Sequence, residues 1–412
     1  MNWGGSVARL HLERNGISGA ELPLRAFTEQ IQKKYGKRIA FTLRAAGERR
    51  GRRKKGPEQS ETSEAFDAIV GYYRHLLSRP DLSTAERQAR DEIGRALHTL
   101  LFDGLEETLK DKSELLILPG GILAFLPFEA LILPDGRYLI ERYDMRYCQS
   151  LTVLELLKNR RYADDRMPLL AFGGAVYEES SYESAMVESE RQLDALRKTT
   201  QFAMKRGLGM SEAYARLGYG RWANLPGSLA EVKQIQQTVA GCETFTGPDV
   251  DEAKLKELSS DGSLKHYRVI HFATHGLVVP EIPELSALVL SQHHGRVNGE
   301  DGYLRTGEIV DLDLEADFIA LSACETGLGM IYGGEGVVGL TQSFLIGGAN
   351  GLTASLWEVA DESTFRFMIG MYTLVNEENM SYSRAIAEMK RRFIHGSYKE
   401  PFFWAPFVYY GR

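Results

Sequence analysis

Short hydrophobic runs, each ending in small or turn-forming residues, recur along the second half of the chain. Residues 169–173, 267–274 and 316–323 are rich in β-branched, leucine and aromatic side chains, and a fourth run occupies 349–357. A segment with helix-like character, residues 335–346, separates the last two runs. Strands that alternate with helices in this way predict an α/β fold with a mostly parallel sheet.

The first half of the chain mixes helical and extended patterns. Apolar residues recur at helical spacing over 63–77 and 84–110, which predicts two helices. Residues 115–119 and 138–141 form apolar runs that predict strands of a first α/β half, and the alternation at 39–43 is typical of an edge strand. The strands of this half carry no histidine and cysteine pair.

A long stretch separates the first two hydrophobic runs of the second half. We predict a helix over 182–205 and then a glycine-rich, aromatic loop over 207–224, which is long enough for a functional or processing segment. A second helix is predicted over 228–239, because Ser228 and Glu231 have the spacing of a capping box.

Composition and charge exclude several classes of partner. The 412 residues carry a formal net charge of −7, and 43% of them are hydrophobic and 25% charged, which is typical of an ordinary globular protein. A dense basic run at 49–55 has no interleaved aromatic residues, so we interpret it as a solvated loop and not as a nucleic-acid site. We therefore expect no direct binding of nucleic acid.

The length of the hydrophobic runs and the number of cysteines indicate the cellular compartment. No apolar run reaches the length of about 18 residues that a membrane span needs, and the first residues lack the pattern of a signal peptide. The three cysteines, Cys148, Cys242 and Cys324, show no pairing pattern. We expect a cytoplasmic protein with reduced thiols and no membrane partner.

A histidine and a cysteine follow two of the predicted strands. His275 follows the run 267–274 and Cys324 follows the run 316–323, so both lie at carboxyl ends of strands, where parallel sheets place their ligand sites. Cys324 comes 49 residues after His275, close to the gap of about 50 by which the caspase histidine precedes its cysteine. A thiolate beside an imidazole base is what nucleophilic acyl transfer requires.

His271 competes with His275 for the role of base. It lies four residues earlier, where a continuous strand would place it on the same face. We interpret His271 as a hydrogen-bonded core residue and choose His275, because a glycine follows His275. A zinc site formed by both histidines and Cys324 is the weaker alternative, since no acidic general base lies between the histidines. The sequence also lacks the Gly-x-Ser-x-Gly elbow of serine hydrolases and the phosphate-binding loop of nucleotide hydrolases.

Four ordered motifs in this half resemble one family closely. They are His-Phe-Ala-Thr-His-Gly at 271–276, Leu-Ser-Ala-Cys-Glu-Thr-Gly at 321–327, Gly-Glu-Gly at 334–336 and Ser-Leu-Trp-Glu-Val-Ala-Asp at 355–361. They resemble the CHAT domain, a caspase-like and separase-like family of clan CD cysteine peptidases. Similar stretches at 115–119, 126–131 and 403–408 extend the resemblance from Ser63 to the C-terminus.

The resemblance implies a domain organisation. The fold would be a caspase-like three-layer α/β sandwich with a mostly parallel sheet. Residues 63–160 would form an N-terminal pseudo-caspase half and residues 161–412 the catalytic half. An extension with the basic run, residues 1–62, would precede them, and it carries no functional signal of its own.

The resemblance also assigns roles to individual residues. Cys324 would act as the nucleophile and His275 as the general base, and the backbone amides of Gly276 and Cys324 would form the oxyanion hole. The substrate-binding positions carried over in the same way are Ser322, Ser355 and Trp357. Trp357 fits a core position equally well, and Ser322 stands where caspases have a glutamine, which puts an aspartate preference in doubt. This chemistry requires no metal and no organic cofactor.

The function implied is that of a cysteine endopeptidase. By resemblance, the chain would be a regulated protease of a prokaryotic immune or cell-death system that cuts a protein substrate, such as a gasdermin-like or regulatory protein, after a partner or ligand activates it. The alternative is a non-catalytic peptide-binding or scaffold module of the same fold. The loop after Phe172 contributes Glu178 and Glu179 and no arginine, so we expect cleavage after a basic or uncharged residue and not after aspartate.

Overall fold

The computed structural model of the chain resolves two compact units, one formed by residues 1–115 and 125–144 and the other by residues 116–124 and 145–412. The residues that the structure describes are 21–47, 61–177, 196, 198–200, 211–219, 222–279, 282–292, 300–322 and 336–412. Cys324, Glu178, Glu179 and the basic run at 49–55 lie outside these described residues, as does most of the helix predicted over 182–205. No helix in the described part of the chain combines the length and apolar character that a membrane crossing needs.

The first unit is built mainly from helices. Their bounds are α1 Glu21–Gly47, α2 Glu61–Leu77, α3 Thr84–Phe102 and α4 Glu106–Leu109. Helix α1 runs through residues 39–43, so the edge strand predicted there is wrong. The reason is a four-residue period, because Phe27, Ile31, Tyr35 and Ile39 are all buried along one side of the helix.

The run at 138–141 is also helical and not a strand. It forms a 3₁₀ turn over Leu139–Glu141. The Glu141 carboxylate accepts a hydrogen bond from the Tyr138 amide at 2.7 Å, which caps that turn and competes with strand pairing. The next strand begins later, at Asp144.

The described residues form eleven strands in two sheets, and all but the first residues of the first two strands belong to the second unit. Their bounds are β1 Glu114–Ile117, β2 Asp144–Tyr147, β3 Leu169–Gly173, β4 Cys242–Thr246, β5 Val269–Ala273, β6 His275–Leu277, β7 Ala287–Val289, β8 Tyr303–Arg305, β9 Phe318–Leu321, β10 Gly351–Ser355 and β11 Phe407–Gly411. Eight of them form a large sheet with the order β1-β2-β11-β10-β9-β5-β3-β4, and β6, β7 and β8 form a small antiparallel sheet.

The large sheet is mostly parallel, as the sequence predicts. Strands β4, β3, β5, β9 and β10 run parallel to one another, and β11 is antiparallel to β10. Strands β1 and β2, whose residues fall within the predicted first half at 63–160, belong to this same sheet. The domain boundaries at residues 62/63 and 160/161 stay a prediction.

Helices complete the second unit. Their bounds are α5 Leu151–Asn159, α6 Ser211–Arg216, α7 Pro226–Thr238, α8 Glu252–Ser260, α9 Thr306–Val310, α10 Gly336–Ile346, α11 Asp361–Glu378, α12 Tyr382–Ile394 and α13 Pro401–Trp404. Helix α7 begins before Ser228, so the predicted capping box is wrong. The buried Ser228 hydroxyl instead donates to the Leu225 carbonyl and accepts a hydrogen bond from the Gly174 amide.

Helices pack on both faces of the large sheet. Adjacent residues of a strand point to opposite faces. On β5, His271 contacts Glu231 of α7 and Tyr372 of α11, whereas Phe272 packs against Phe344 of α10. The fold is therefore a three-layer α/β sandwich, with α7 and α11 on one face and α10 on the other.

Candidate active site

A cleft lies at the carboxyl ends of β5, β9 and β10. Its empty volume, counted together with the adjoining open solvent, is about 520 Å³. Its walls are Leu225, Gly227, Ser228, Glu231, His275, Ser322, Ser355, Glu358, Val359, Asp361 and Thr364. Three of the residues that the sequence analysis selected, His275, Ser322 and Ser355, thus meet in one place.

His275 does not share a strand with His271. Strand β5 ends at Ala273, and after Thr274 the chain enters β6 of the small sheet with His275 as its first residue. The expectation that both histidines lie on one face of one strand is therefore wrong. His271 is fully buried in the large sheet, whereas His275, although only 1% exposed, reaches the cleft.

The imidazole of His275 is held by a backbone carbonyl. Its Nε2 lies 2.6 Å from the carbonyl oxygen of Ala223. A carbonyl oxygen can only accept, so Nε2 carries the proton and donates it. In the neutral ring Nδ1 is then the basic nitrogen.

Aromatic rings enclose the same imidazole on two sides. The ring centroids of Tyr177 and Trp222 lie 4.8 and 5.0 Å from that of His275. The Tyr177 hydroxyl accepts a hydrogen bond from the His275 amide at 3.3 Å and donates to the Val289 carbonyl of β7. The Trp222 indole donates to the Tyr303 hydroxyl of β8 at 3.0 Å. Both rings are therefore anchored to the small sheet that carries the histidine.

Burial and charge act in opposite directions on His275. Burial lowers the pKa of its imidazole below the ordinary value, while the Ala223 carbonyl and the carboxylates of Glu358 and Asp361 oppose that change. A lowered pKa keeps the ring neutral at neutral pH, which is the form that can accept a proton.

The other predicted site residues divide between the cleft and the core. Ser322 and Ser355 line the cleft, and the Ser355 hydroxyl donates to the Trp357 carbonyl. Trp357 is only 3% exposed, and its indole donates to the Phe402 carbonyl at 3.1 Å, so its side chain occupies the core and not the cleft wall. Gly276 lies in β6 opposite Leu288, and its role in an oxyanion hole stays a prediction.

Sequence reasoning missed the acidic side of the cleft. Glu358 and Asp361 lie on its wall, and Glu231 of α7 lies there too. Asp361 is the first residue of α11, so its carboxylate lies in the first helical turn, where the helix dipole favours it. For Glu231 a signal existed, because it falls on the same side of α7 as the buried Ser228, Val232 and Ile235.

Ala223 and Trp222 had no comparable signal. Ala223 acts through its main-chain oxygen, which every residue type carries. Trp222 stands in a loop with no periodicity, so its packing against His275 depends on tertiary structure alone.

A separate acidic cluster lies outside the cleft. Among the described residues, the carboxylates of Glu252, Glu300 and Glu308 converge within 4.8 Å. The Lys256 ammonium lies 2.8, 2.6 and 2.8 Å from them. This amine already supplies the positive charge that three carboxylates require, so we assign no metal to the cluster.

Comparison with known proteins identifies the family. The sequence profile of the CHAT domain matches residues 91–412. No curated protein matches the chain. Among solved structures, the separase–securin complex of Saccharomyces cerevisiae is similar over 94% of this chain, with 13% identity and a TM-score of 0.39. The match covers only 22% of the matched chain of that complex.

Two bacterial proteinase structures are similar at the same level. The complex of the pro- and mature domains of RgpB from Porphyromonas gingivalis shows 10% identity and a TM-score of 0.43, over 85% of this chain and 76% of the other. The Arg-specific cysteine proteinase gingipain R shows 9% identity and a TM-score of 0.40, over 85% of this chain and 75% of its own. Because the CHAT profile covers well over half of the sequence, from residue 91 to residue 412, this chain belongs to the CHAT domain family.

Proposed function

We propose that the protein is a cysteine endopeptidase in which Cys324 is the nucleophile and His275 the general base. The observation that carries this proposal is the state of His275. Its Nε2 is committed to the Ala223 carbonyl, so the basic nitrogen is Nδ1, in a ring that reaches a cleft at the strand ends. Ser322, the last described residue before Cys324 in the sequence, lines the same cleft.

The reaction that follows from this pair is acyl transfer to sulfur. Nδ1 of His275 takes the proton of the Cys324 thiol, and the thiolate attacks the scissile carbonyl carbon. The imidazolium returns the proton to the departing amine as the C–N bond breaks, leaving a thioester. Water then hydrolyses the thioester, with His275 again accepting a proton. The amides of Gly276 and Cys324 are proposed to hold the oxyanion.

The substrate is proposed to be a protein that presents a basic residue before the scissile bond. Glu358 and Asp361 place carboxylates on the cleft wall beside Ser322 and Ser355. A cationic side chain is favoured by such a wall, and an aspartate is disfavoured by like-charge repulsion.

The test uses the full-length protein and an active-site-directed thiol probe. We expect the probe to label Cys324 and to spare Cys148 and Cys242, because both are buried free thiols and burial raises the pKa of Cys242 to about 12. Mapping of new protein N-termini after expression of the wild type, with Cys324→Ala as control, would identify substrates. Uniform or absent labelling with no new N-termini would favour the non-catalytic peptide-binding module.

The biological setting is proposed from family membership. We infer a regulated protease of a prokaryotic immune or cell-death system that a partner or ligand activates and that cuts a gasdermin-like or regulatory protein. A cytoplasmic location is part of the same proposal. Expression of the wild type and of Cys324→Ala in cells challenged with phage would test it, since only the wild type should change survival.

A further inference from the structure

A network of buried polar side chains, two of which also line the cleft, is separate from the proposed catalytic pair. It begins at Tyr372 of α11, whose hydroxyl lies 3.0 Å from Nδ1 of His271. Nε2 of His271 lies 2.9 Å from Oε1 of Glu231 on α7. The same carboxylate oxygen accepts a hydrogen bond from the hydroxyl of Ser322.

All side chains of this network are buried. His271 is 0% exposed, Ser322 3% and Glu231 4%. A buried carboxylate is tolerated only where hydrogen bonds and an opposite charge or dipole replace its hydration. Glu231 accepts a hydrogen bond from Ser322, just after β9, and its carboxylate contacts the imidazole of His271 in β5, so it lies against two neighbouring strands near their carboxyl ends.

The link ends on the residue that leads to the nucleophile. Ala320 pairs with His271 in the sheet, and Ser322, two residues further, points to the same face. The Ser322 amide donates to the Phe272 carbonyl at 2.9 Å. Ser322 is therefore fixed twice, through its main chain to β5 and through its hydroxyl to α7, only two positions before Cys324.

We propose that Glu231 is a positioning residue: by holding the Ser322 hydroxyl it fixes the exit of β9 and thereby the start of the segment that carries Cys324. This inference rests on the proposed peptidase function. It also assigns His271 and Tyr372 a task, which is to hold the Glu231 carboxylate in place. A geometric error of about 1 Å between reacting groups costs about 100-fold in rate, so a clamp at this point has a catalytic effect without touching substrate.

Glu231 is thereby distinguished from the other acidic residues of the cleft. Its Oε1 already faces both His271 and Ser322, so its charge is directed into the protein. Asp361 lies in the first turn of α11, at the cleft wall. We therefore assign recognition of the substrate to the wall and positioning of the nucleophile segment to Glu231.

The test is a double-mutant cycle with Glu231→Ala, Ser322→Ala and the double variant in the full-length protein. We expect each single variant to lower kcat by about 10- to 100-fold with KM nearly unchanged. The double variant should be no more than about threefold worse than either single one, because both remove the same clamp. Losses that multiply would overturn the proposal. Glu231→Gln, which keeps the shape and one acceptor, should recover at least part of the rate if Glu231→Ala folds poorly.

Hydrogen exchange supplies a readout that does not depend on cleavage. The peptide covering residues 316–330 should exchange at least about tenfold faster in Glu231→Ala than in the wild type. The matched control is Glu252→Gln, another buried glutamate on a helix, α8, of the same unit. It should leave the exchange of this peptide unchanged. If the wild type cleaves nothing, the peptidase proposal fails while the exchange result still decides the clamp. Equal exchange in wild type and Glu231→Ala would overturn it.

Discussion

The Nε2–H of His275 donates a hydrogen bond to the carbonyl oxygen of Ala223 at 2.6 Å, so a main-chain group of a loop fixes the tautomer of a side chain in strand β6. No substitution of the Ala223 side chain removes that oxygen. The loop is held by Trp222, whose indole is bonded to Tyr303. The state of the base therefore depends on how firmly residues 222–225 lie against the small sheet.

Loosening this loop should slow the chemistry. Trp222→Ala removes both the ring beside His275 and the hydrogen bond to Tyr303, and we expect kcat to fall by about tenfold with KM little changed. Trp222→Phe keeps a ring and should lose less. Steady-state kinetics on a fluorogenic peptide would measure both. Wild-type kcat in Trp222→Ala would contradict the role given to this contact.

Removal of either member of the catalytic pair should abolish cleavage. His275→Ala should lower kcat by at least about 100-fold, and Cys324→Ala should leave no activity above background. The double variant should be no worse than Cys324→Ala, because the two groups act as a unit. His271→Ala should lower thermal stability more than it lowers activity, since it removes the imidazole that contacts the buried Glu231 carboxylate. A folded but inactive His271→Ala beside an active His275→Ala would reverse the assignment of the base.

The acidic limb of the pH–rate profile should report His275. Because the imidazole must be neutral to accept a proton and burial lowers its pKa, activity should persist below the ordinary titration range of histidine. The Glu358 carboxylate opposes this lowering, so Glu358→Gln should move the acidic limb to still lower pH. Profiles of kcat/KM for the two proteins would show the shift. Movement to higher pH in Glu358→Gln would contradict the assigned sign.

Charge on the cleft wall should set the preference for the residue before the scissile bond. Asp361→Asn should lower kcat/KM for peptides with arginine or lysine at that position by about tenfold or more, and should change uncharged peptides little. Glu362→Gln is the matched control. Glu362 is the residue after Asp361 in α11, and its side chain is exposed and forms an ion pair with Arg366. A profiled peptide library would measure all three proteins, and a dominant aspartate in the wild type would refute the proposal.

Close packing of α7 on β3 gives a prediction on stability. A side chain at Gly173 would place Cβ 2.5 Å from the Val232 side chain and 2.8 Å from the Ser228 carbonyl. Gly173→Ala should therefore lower the free energy of unfolding by about 1–3 kcal/mol. The control is Gly307→Ala in helix α9, where nothing lies within 4 Å and alanine favours the helix, so stability should hold or rise by up to about 1 kcal/mol. Thermal denaturation would compare them.

The local pattern of apolar residues was enough to predict four adjacent strands of the large sheet. Strands β3, β5, β9 and β10 appear as short apolar runs, and the position of the cleft follows from where parallel strands end. The alternation of apolar residues at 39–43 led to the wrong prediction of a strand. Ile39 fits this two-residue period, but it also continues the four-residue period of the buried helix positions before it. Local sequence cannot separate these periods over so short a stretch.

Only those parts of the candidate site that are formed by reactive or polar side chains could be predicted from the sequence. His275 and Ser322 stand out by type and place, but the break after Ala273 falls inside the predicted run 267–274, so nothing local assigns the two histidines to different sheets. Glu231 was visible as a polar residue on a buried helix face. Its two partners were not, since they come from strands that are 40 and 91 residues away in sequence.

Strand β5 ends before Thr274 and β6 begins after it, so the two members of the candidate dyad are attached to different sheets. His275 travels with the small antiparallel sheet, whereas the exit of β9 is fixed to the large sheet and to α7. A ligand or partner that slides the small sheet by about 1 Å would change the separation between base and nucleophile without breaking a ladder hydrogen bond in either sheet. Regulation of the proposed peptidase would then require only a shift between the two sheets, with no refolding of either one.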